Sequence, residues 1–147
     1  MDFLALLLLG TLTGNEIAVS AFVHPILSRL PDEQHAAGAQ GLASVYGKVA
    51  PFWYAATLLT LIVLAWHTPL IQTSKYAFVA SAVLMVTALV LTLALLVPIN
   101  NRIAGLNLHA LSGDWKADRA RWDKLHALRV ILLLLSLAAL AFGATRV

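Results

Sequence analysis

The chain has 147 residues, of which 61% are hydrophobic and only 12% are charged, whereas an average soluble domain is about half apolar and about a quarter charged. This composition excludes an ordinary soluble domain and indicates an integral membrane protein. Cysteine is absent, which excludes disulfides, thiolate metal sites and cysteine nucleophiles. The formal net charge is +3, and the basic residues lie mainly in the segments between apolar stretches. We therefore interpret them as a signal of membrane topology and expect no nucleic-acid partner.

Four apolar segments are each close to the roughly 20 residues that a helix needs to cross a bilayer. We therefore predict an all-α fold, a four-helix transmembrane bundle that forms one integral membrane domain over residues 1–147. The predicted helices span about 3–28, 46–67, 75–99 and 120–144, with longer connections at 29–45 and 100–119.

Most basic residues lie in or directly beside the two longer connections, at Arg29, Lys48, Arg102 and between residues 116 and 124. By the positive-inside rule we predict a multi-pass protein of the cell (inner) membrane with both termini external and these connections cytoplasmic. Membrane lipid is an expected partner, since basic juxtamembrane segments attract anionic headgroups. A homo-oligomer is compatible with the sequence.

The first predicted helix carries polar residues that hydrocarbon disfavours. Glu16, Ser20 and His24 recur every four residues, which places them within about 80° of one another around the helix. Asn15 lies beside Glu16. A carboxyl group inside a membrane costs at least a few kcal/mol unless it is paired, protonated or hydrated, so this helix predicts a functional site.

The ends of the third and fourth predicted helices supply candidate partners. Asn100 and Arg102 follow Pro98 at the predicted cytoplasmic end of helix three. On helix four, Trp122, His126 and Arg129 have the spacing i, i+4, i+7, which places them on one face. Arg129 has no other obvious buried anion, so we predict an ion pair with Glu16, with both histidines, Asn100 and Arg102 nearer the cytoplasmic mouth.

Five short segments, in this order on the four helices, resemble the anthrone oxygenase-like family of small membrane proteins, most of whose bacterial members have no known function. These segments are Gly14-Asn15-Glu16, His24-Pro25, Pro51 to Tyr54, Pro98 to Arg102 and Arg121 to Arg129. The resemblance covers nearly the whole chain. It implies that some relatives oxidise activated polycyclic phenols, such as anthrones, to quinones with oxygen. The sequence has no nucleotide or flavin motif, so we expect no organic cofactor.

The resemblance implies a membrane-embedded oxidoreductase or oxygenase that acts on a lipophilic aromatic or phenolic molecule. His24 or His126 would be the general base, because imidazole has a suitable pKa range. The enolate formed would be stabilised by Arg102 or Arg129, together with Asn100. The residues expected to contact the substrate are Trp53, Trp122, Asn15, Glu16 and Ser20.

Two other functions are open from the sequence. In the first, His24, His126 and Glu16 would bind iron, copper or zinc, or the two histidines would be the axial ligands of a haem. Glu16 and His24 lie two turns apart, so the histidines with another donor form the more feasible set. In a transport or binding subunit, Glu16 would instead relay protons or hold a cationic ligand, although no internal repeat of the kind common in transporters is detectable.

Overall fold

The computed structural model describes residues 1–69, 72–111 and 113–146, and this part of the chain is helical without strands. Four helices follow one another: α1 (Asp2–Leu27), α2 (Asp32–His67), α3 (Thr73–Ala104) and α4 (Asp114–Ala144). Each is long and apolar enough to cross a membrane. The predicted all-α class and the four-helix architecture are confirmed.

Helices that are consecutive in the chain pack against each other, and α4 also packs against α1 to close the bundle. The most extensive contact joins α3 to α4. Consecutive helices joined by short loops run antiparallel, which is the ordinary arrangement of such bundles. The end of α1 is therefore brought to the same end of the bundle as the end of α3 and the start of α4.

The second helix starts earlier than the apolar pattern indicated. It contains 36 residues, which at 1.5 Å per residue is far longer than the bilayer core requires. Its first turns cover most of the predicted connection 29–45. There Ala36 and Ala39 are buried, and the Gln40 side chain donates a hydrogen bond of 2.7 Å to the Ala104 carbonyl. These contacts fix the α2 extension against the end of α3.

Two π turns interrupt the bundle, at Val19–Val23 in α1 and Thr92–Leu96 in α3. Each is followed by one residue and then a proline, Pro25 or Pro98. Because proline has no N–H, the carbonyl one turn earlier loses its helical donor, and a wider turn relieves the mismatch. In both turns the residue before proline donates to the carbonyl five residues earlier, as His24 does to Val19.

Two apolar clusters fill the bundle at different depths. The smaller one lies towards the ends of α1 and α3 and contains Val19, Ala39, Leu96, Ile99, Ile103 and Trp122. The larger one occupies the opposite half and contains Ala5, Leu9, Leu12, Tyr54, Leu61, Leu64, Ala65, Phe78, Met85, Ala88, Leu133 and Leu140. Glu16 on α1, Thr92 on α3 and Arg129 on α4 each fall in sequence between members of these two clusters. A polar layer therefore separates them.

The contact between α3 and α4 is close in the larger apolar half. The hydroxyl groups of Ser81 and Ser136 are 3.0 Å apart. Nearer the end of α4, a Cβ atom placed on Gly143 would lie only 2.5 Å and 2.7 Å from two ring carbons of Phe78. Phe78 is fully buried, so its ring has little room to move away.

We expect Gly143→Ala to destabilise the bundle by about 1–3 kcal/mol, the usual cost of overpacking a core. Gly10→Ala is the matched control, because a Cβ there meets no atom within 4 Å and alanine favours the helix. Reversible unfolding of the detergent-solubilised protein, followed by circular dichroism, measures both. Equal stability of the two variants would contradict the close packing at Gly143.

Candidate polar site at the end of the bundle

The site is built on one face of α4. Buried residues recur along this helix at alternating spacings of four and three, the pattern of a helix that packs on one side. The residues that follow this spacing are Trp115, Arg119, Trp122, His126, Arg129, Leu133, Ser136, Leu140 and Gly143, and Val130 beside Arg129 is buried as well. The first half of the face is basic and aromatic, and the second half is mostly apolar.

The predicted pair between Glu16 and Arg129 forms in the polar layer. Arg129 Nη2 donates to Glu16 Oε2 at 2.5 Å, and the two side chains are only 9% and 3% exposed. A desolvated pair of this kind persists only when further hydrogen bonds accompany it. Tyr54 donates from its hydroxyl to Glu16 Oε1 at 3.2 Å, and Thr92 Oγ1 accepts from Arg129 Nη1 at 3.3 Å. Each of the four helices thus supplies one member of the layer.

His126 is held by hydrogen bonds at both ring nitrogens. Arg129 Nη2 lies 2.8 Å from His126 Nδ1, and a guanidinium can only donate, so Nδ1 is an acceptor. The proton of the neutral ring then lies on Nε2, which donates to the Glu16 carbonyl at 3.2 Å. His126 is 1% exposed. Its ring therefore has no free lone pair.

His24 lies about two helical turns beyond Glu16, nearer the end of α1. The π turn takes up one extra residue, which reduces the predicted angle of about 80° between Glu16 and His24 to roughly 20°. Arg119 Nη2 lies 3.3 Å from His24 Nε2, so Nε2 accepts and the proton lies on Nδ1. Nδ1 is buried and has no hydrogen-bond partner among the described residues. His24 therefore carries an unused N–H donor.

Trp122 connects the two histidines. Its ring stacks on His126 with a centroid distance of 4.5 Å and an interplanar angle of 13°, and it meets His24 edge-on at 4.7 Å. The Arg119 guanidinium carbon lies 4.1 Å from the centre of the indole ring, a favourable cation–π distance. These contacts fix the orientation of Arg119 and both imidazoles.

A cleft of about 260 Å³ opens beside His24, slightly below the usual range of small-molecule pockets. It is lined by Ser20, His24, Pro25, Ser28, Asp123 and His126. Asp123 Oδ1 accepts hydrogen bonds from Arg119 Nη2 at 2.5 Å and Nε at 3.2 Å. The cleft is thus lined by an imidazole and a carboxylate that share one guanidinium.

Several residues predicted for the site lie elsewhere. Arg102 does not join the histidines, because Asp118 accepts both of its hydrogen bonds, at 2.7 and 2.6 Å. This pair lines a second cleft of about 420 Å³ between the end of α3 and the start of α4. Asn100 is half-buried and forms no side-chain hydrogen bond with the described residues of the site.

Trp53 and Asn15, two of the predicted substrate contacts, are not among the residues that line the cleft. Trp53 donates from Nε1 to the Leu8 carbonyl at 3.3 Å and packs against the larger apolar cluster. Asn15 accepts a hydrogen bond of 2.9 Å from the Tyr46 hydroxyl. Ser20 does line the cleft, as the helical spacing predicted.

In the alternative metal site of Glu16, His24 and His126, the Arg129 guanidinium occupies the position between two of the ligands and repels a cation. Glu16 Oε2 and His126 Nδ1 are 3.4 Å apart, but Arg129 Nη2 donates to both atoms. A cation would have to displace this guanidinium. Within the part of the chain that the structure describes, no group of three His, Asp or Glu side chains is arranged to hold a metal ion.

We expect Arg129→Met to lower the free energy of unfolding by about 3–5 kcal/mol, because Glu16 is left as an uncompensated buried charge. The double variant Arg129→Met/Glu16→Gln should lose less than the sum of the two single variants. Arg121→Met is the control, since Arg121 is exposed on the same helix. Unfolding in detergent is measured for the two single variants, the double variant and the control. If Arg129→Met lowers the free energy of unfolding no more than Arg121→Met does, the ion pair does not contribute to stability.

Comparison with known proteins gives one match. A family model described as anthrone oxygenase matches residues 41–139, which is about two thirds of the chain. The matched region contains Arg119, Trp122, His126 and Arg129, whereas Glu16 and His24 precede it. No curated protein and no solved structure matches the chain.

Proposed function

The chain belongs to the anthrone oxygenase family, and from this membership and the His24 cleft we propose that it is a membrane-embedded oxidoreductase. Its substrate would be a lipophilic phenolic molecule of the anthrone type, and its oxidant dioxygen. The observation that carries the proposal is His24, which lines a cleft close to the size of a small ligand and whose buried N–H has no partner among the described residues.

The reaction converts the methylene carbon of an anthrone into the second carbonyl of a quinone. A base removes one methylene proton, and the remaining electron pair is delocalised onto the carbonyl oxygen as an enolate. Dioxygen adds at this carbon and, after protonation, forms a hydroperoxide, which loses water to give the carbonyl. The substrate loses two hydrogens and gains one oxygen atom, and the second oxygen atom leaves as water. The stoichiometry requires no external reductant.

The charges around the cleft suit the enolate intermediate. Catalysis of this step depends on donors and positive charge fixed where the negative charge develops. His24 lines the cleft, and its buried Nδ1–H has no hydrogen-bond partner among the described residues. The Arg119 guanidinium lies 3.3 Å from the other nitrogen of the same ring. We assign His24 to contact the substrate oxygen, and Arg119 to supply the positive charge behind it.

The other residues first considered for catalysis receive different roles in this proposal. His126 and Arg129 are engaged with Glu16 and position Trp122 and the end of α1. Arg102, paired with Asp118, and Asn100 are not assigned to the reaction. The His126 ring forms part of the cleft wall without a free nitrogen to accept a proton.

We propose that the cleft opens towards the cytoplasmic side of the cell membrane. The four apolar helices are compatible with a multi-pass membrane protein. The orientation rests on the excess of basic residues at the end of the bundle that contains His24, among them Arg29, Arg102 and Lys116. A lipophilic substrate dissolved in the bilayer would reach the cleft near the headgroup region.

His24→Ala should reduce oxygen consumption with an anthrone substrate by about 100-fold or more, since loss of one well-placed donor to a developing oxyanion has this effect. His109→Ala is the matched control, because the His109 side chain is 91% exposed and lies outside the cleft. An oxygen electrode records the rate, and quinone formation is followed by absorbance. Full activity in a folded His24→Ala protein would refute the assignment of this cleft.

A further inference from the structure

Neither histidine of the site offers a free lone pair to a substrate proton. His126 Nδ1 accepts from Arg129, and its other nitrogen donates to the Glu16 carbonyl. His24 Nε2 accepts from Arg119, and its other nitrogen carries the hydrogen. With both guanidiniums in place, the proton acceptor that the reaction requires has to be another group.

The residues that line the cleft leave one candidate. Apart from the two histidines they are Ser20, Pro25, Ser28 and Asp123. A serine hydroxyl without an adjacent base is a very weak proton acceptor at neutral pH, and proline has no acidic or basic side chain. Asp123 is the carboxylate among them.

The geometry of Asp123 suits a general base. Both hydrogen bonds that Arg119 donates to Asp123 go to Oδ1, and Oδ2 receives none from the described residues. The side chain is 45% exposed, whereas the Arg119 side chain that holds it is 6% exposed. One oxygen is therefore fixed by a buried cation, while the other has no partner among the described residues and belongs to a side chain that lines the cleft.

Arg119 joins this carboxylate to the oxyanion donor. Its Nη2 atom lies 2.5 Å from Asp123 Oδ1 and 3.3 Å from His24 Nε2. One guanidinium thus orients a proton acceptor and, through the imidazole, a proton donor at the same cleft. An acceptor for the carbon-bound proton and a donor for the carbonyl oxygen are the two groups that enolate formation requires.

We infer that Asp123 is the general base of the reaction, an inference that rests on the proposed function. The methylene proton moves to Asp123 Oδ2, and the electron pair of the broken C–H bond forms the enolate, whose oxygen accepts from His24 Nδ1–H. Dioxygen adds to the carbon, and the peroxide takes the proton back from Asp123. Asp123 then removes the second hydrogen of that carbon as the O–O bond breaks, so that hydroxide leaves and becomes water with that proton.

Proton abstraction can be measured without the oxidation. An anthrone is incubated with the purified protein in deuterated buffer without oxygen, and incorporation of deuterium at the methylene carbon is followed by NMR against a protein-free blank. Asp123→Asn should lower both this exchange and aerobic oxygen consumption by about 100-fold or more, the usual contribution of a general base. Asparagine keeps an oxygen acceptor for Arg119, so binding of the substrate should change little. The unfolding temperature should fall, because the buried Arg119 guanidinium loses its carboxylate partner.

Matched variants separate chemistry from structure. Asp118→Asn alters another α4 carboxylate that is bonded to an arginine but lies outside this cleft, and it should retain both rates. Asp123→Glu should recover part of the exchange, because a carboxylate is restored. If Asp123→Asn does not fold, Asp123→Ser carries the same expectation.

The outcomes distinguish this inference from the proposed function. Exchange and oxidation at the wild-type rate in a folded Asp123→Asn or Asp123→Ser protein would overturn the role of Asp123 and leave the oxygenase proposal standing. A wild-type protein that neither exchanges the methylene proton nor consumes oxygen would overturn both. Loss of both rates with intact binding, and partial recovery in Asp123→Glu, would support the base.

Discussion

The ion pair between Glu16 and Arg129 is the constraint on which the rest of the bundle depends. Two charges removed from water are tolerated only with good geometry and further hydrogen bonds, and here these come from Tyr54 on α2 and Thr92 on α3. The four helices must therefore be aligned so that these four side chains lie at the same level along the bundle. Apolar side chains of similar volume would stabilise a bundle at least as well. The value of the pair is its geometry, because it also fixes His126 against the Glu16 carbonyl.

The two π turns adapt the helices to this layer. In α1 the wide turn begins three residues after Glu16 and ends immediately before His24. It therefore places the His24 imidazole on nearly the same face of the helix as the Glu16 carboxylate. In α3 it begins at Thr92, the residue that accepts from Arg129. Prolines at 25 and 98 cause both irregularities locally, since each removes a backbone donor. Irregular turns of this type are frequent at functional sites, and here they set the angle at which polar side chains enter the bundle.

The sequence predicted the bundle and the central pair because apolar length and helical spacing are local properties. It did not identify Arg119 and Asp123 as site residues, since an i, i+4 pair near a helix end resembles an exposed surface pair. The missed signal was the continuation of the Trp122, His126 and Arg129 face by one more position, to Arg119. Trp53 was expected at the site on the family resemblance, and Arg102 on the resemblance and on its position at the end of the third predicted helix. Their partners, the Leu8 carbonyl and Asp118, depend on distances between helices that spacing does not contain.

The buried polar groups around Glu16 and those around His24 differ in how far their hydrogen-bonding capacity is used within the protein. In the inner layer, both carboxylate oxygens of Glu16 and both nitrogens of His126 have partners inside the bundle. Chemistry on a bound molecule requires donors and acceptors that the protein has left free. Among the buried side-chain atoms without a partner in the described residues, only His24 Nδ1 belongs to a residue that lines the cleft. The inner layer therefore fixes the geometry, and the reactive surface lies about two helical turns further along α1, where Arg119 holds His24 and Asp123 together.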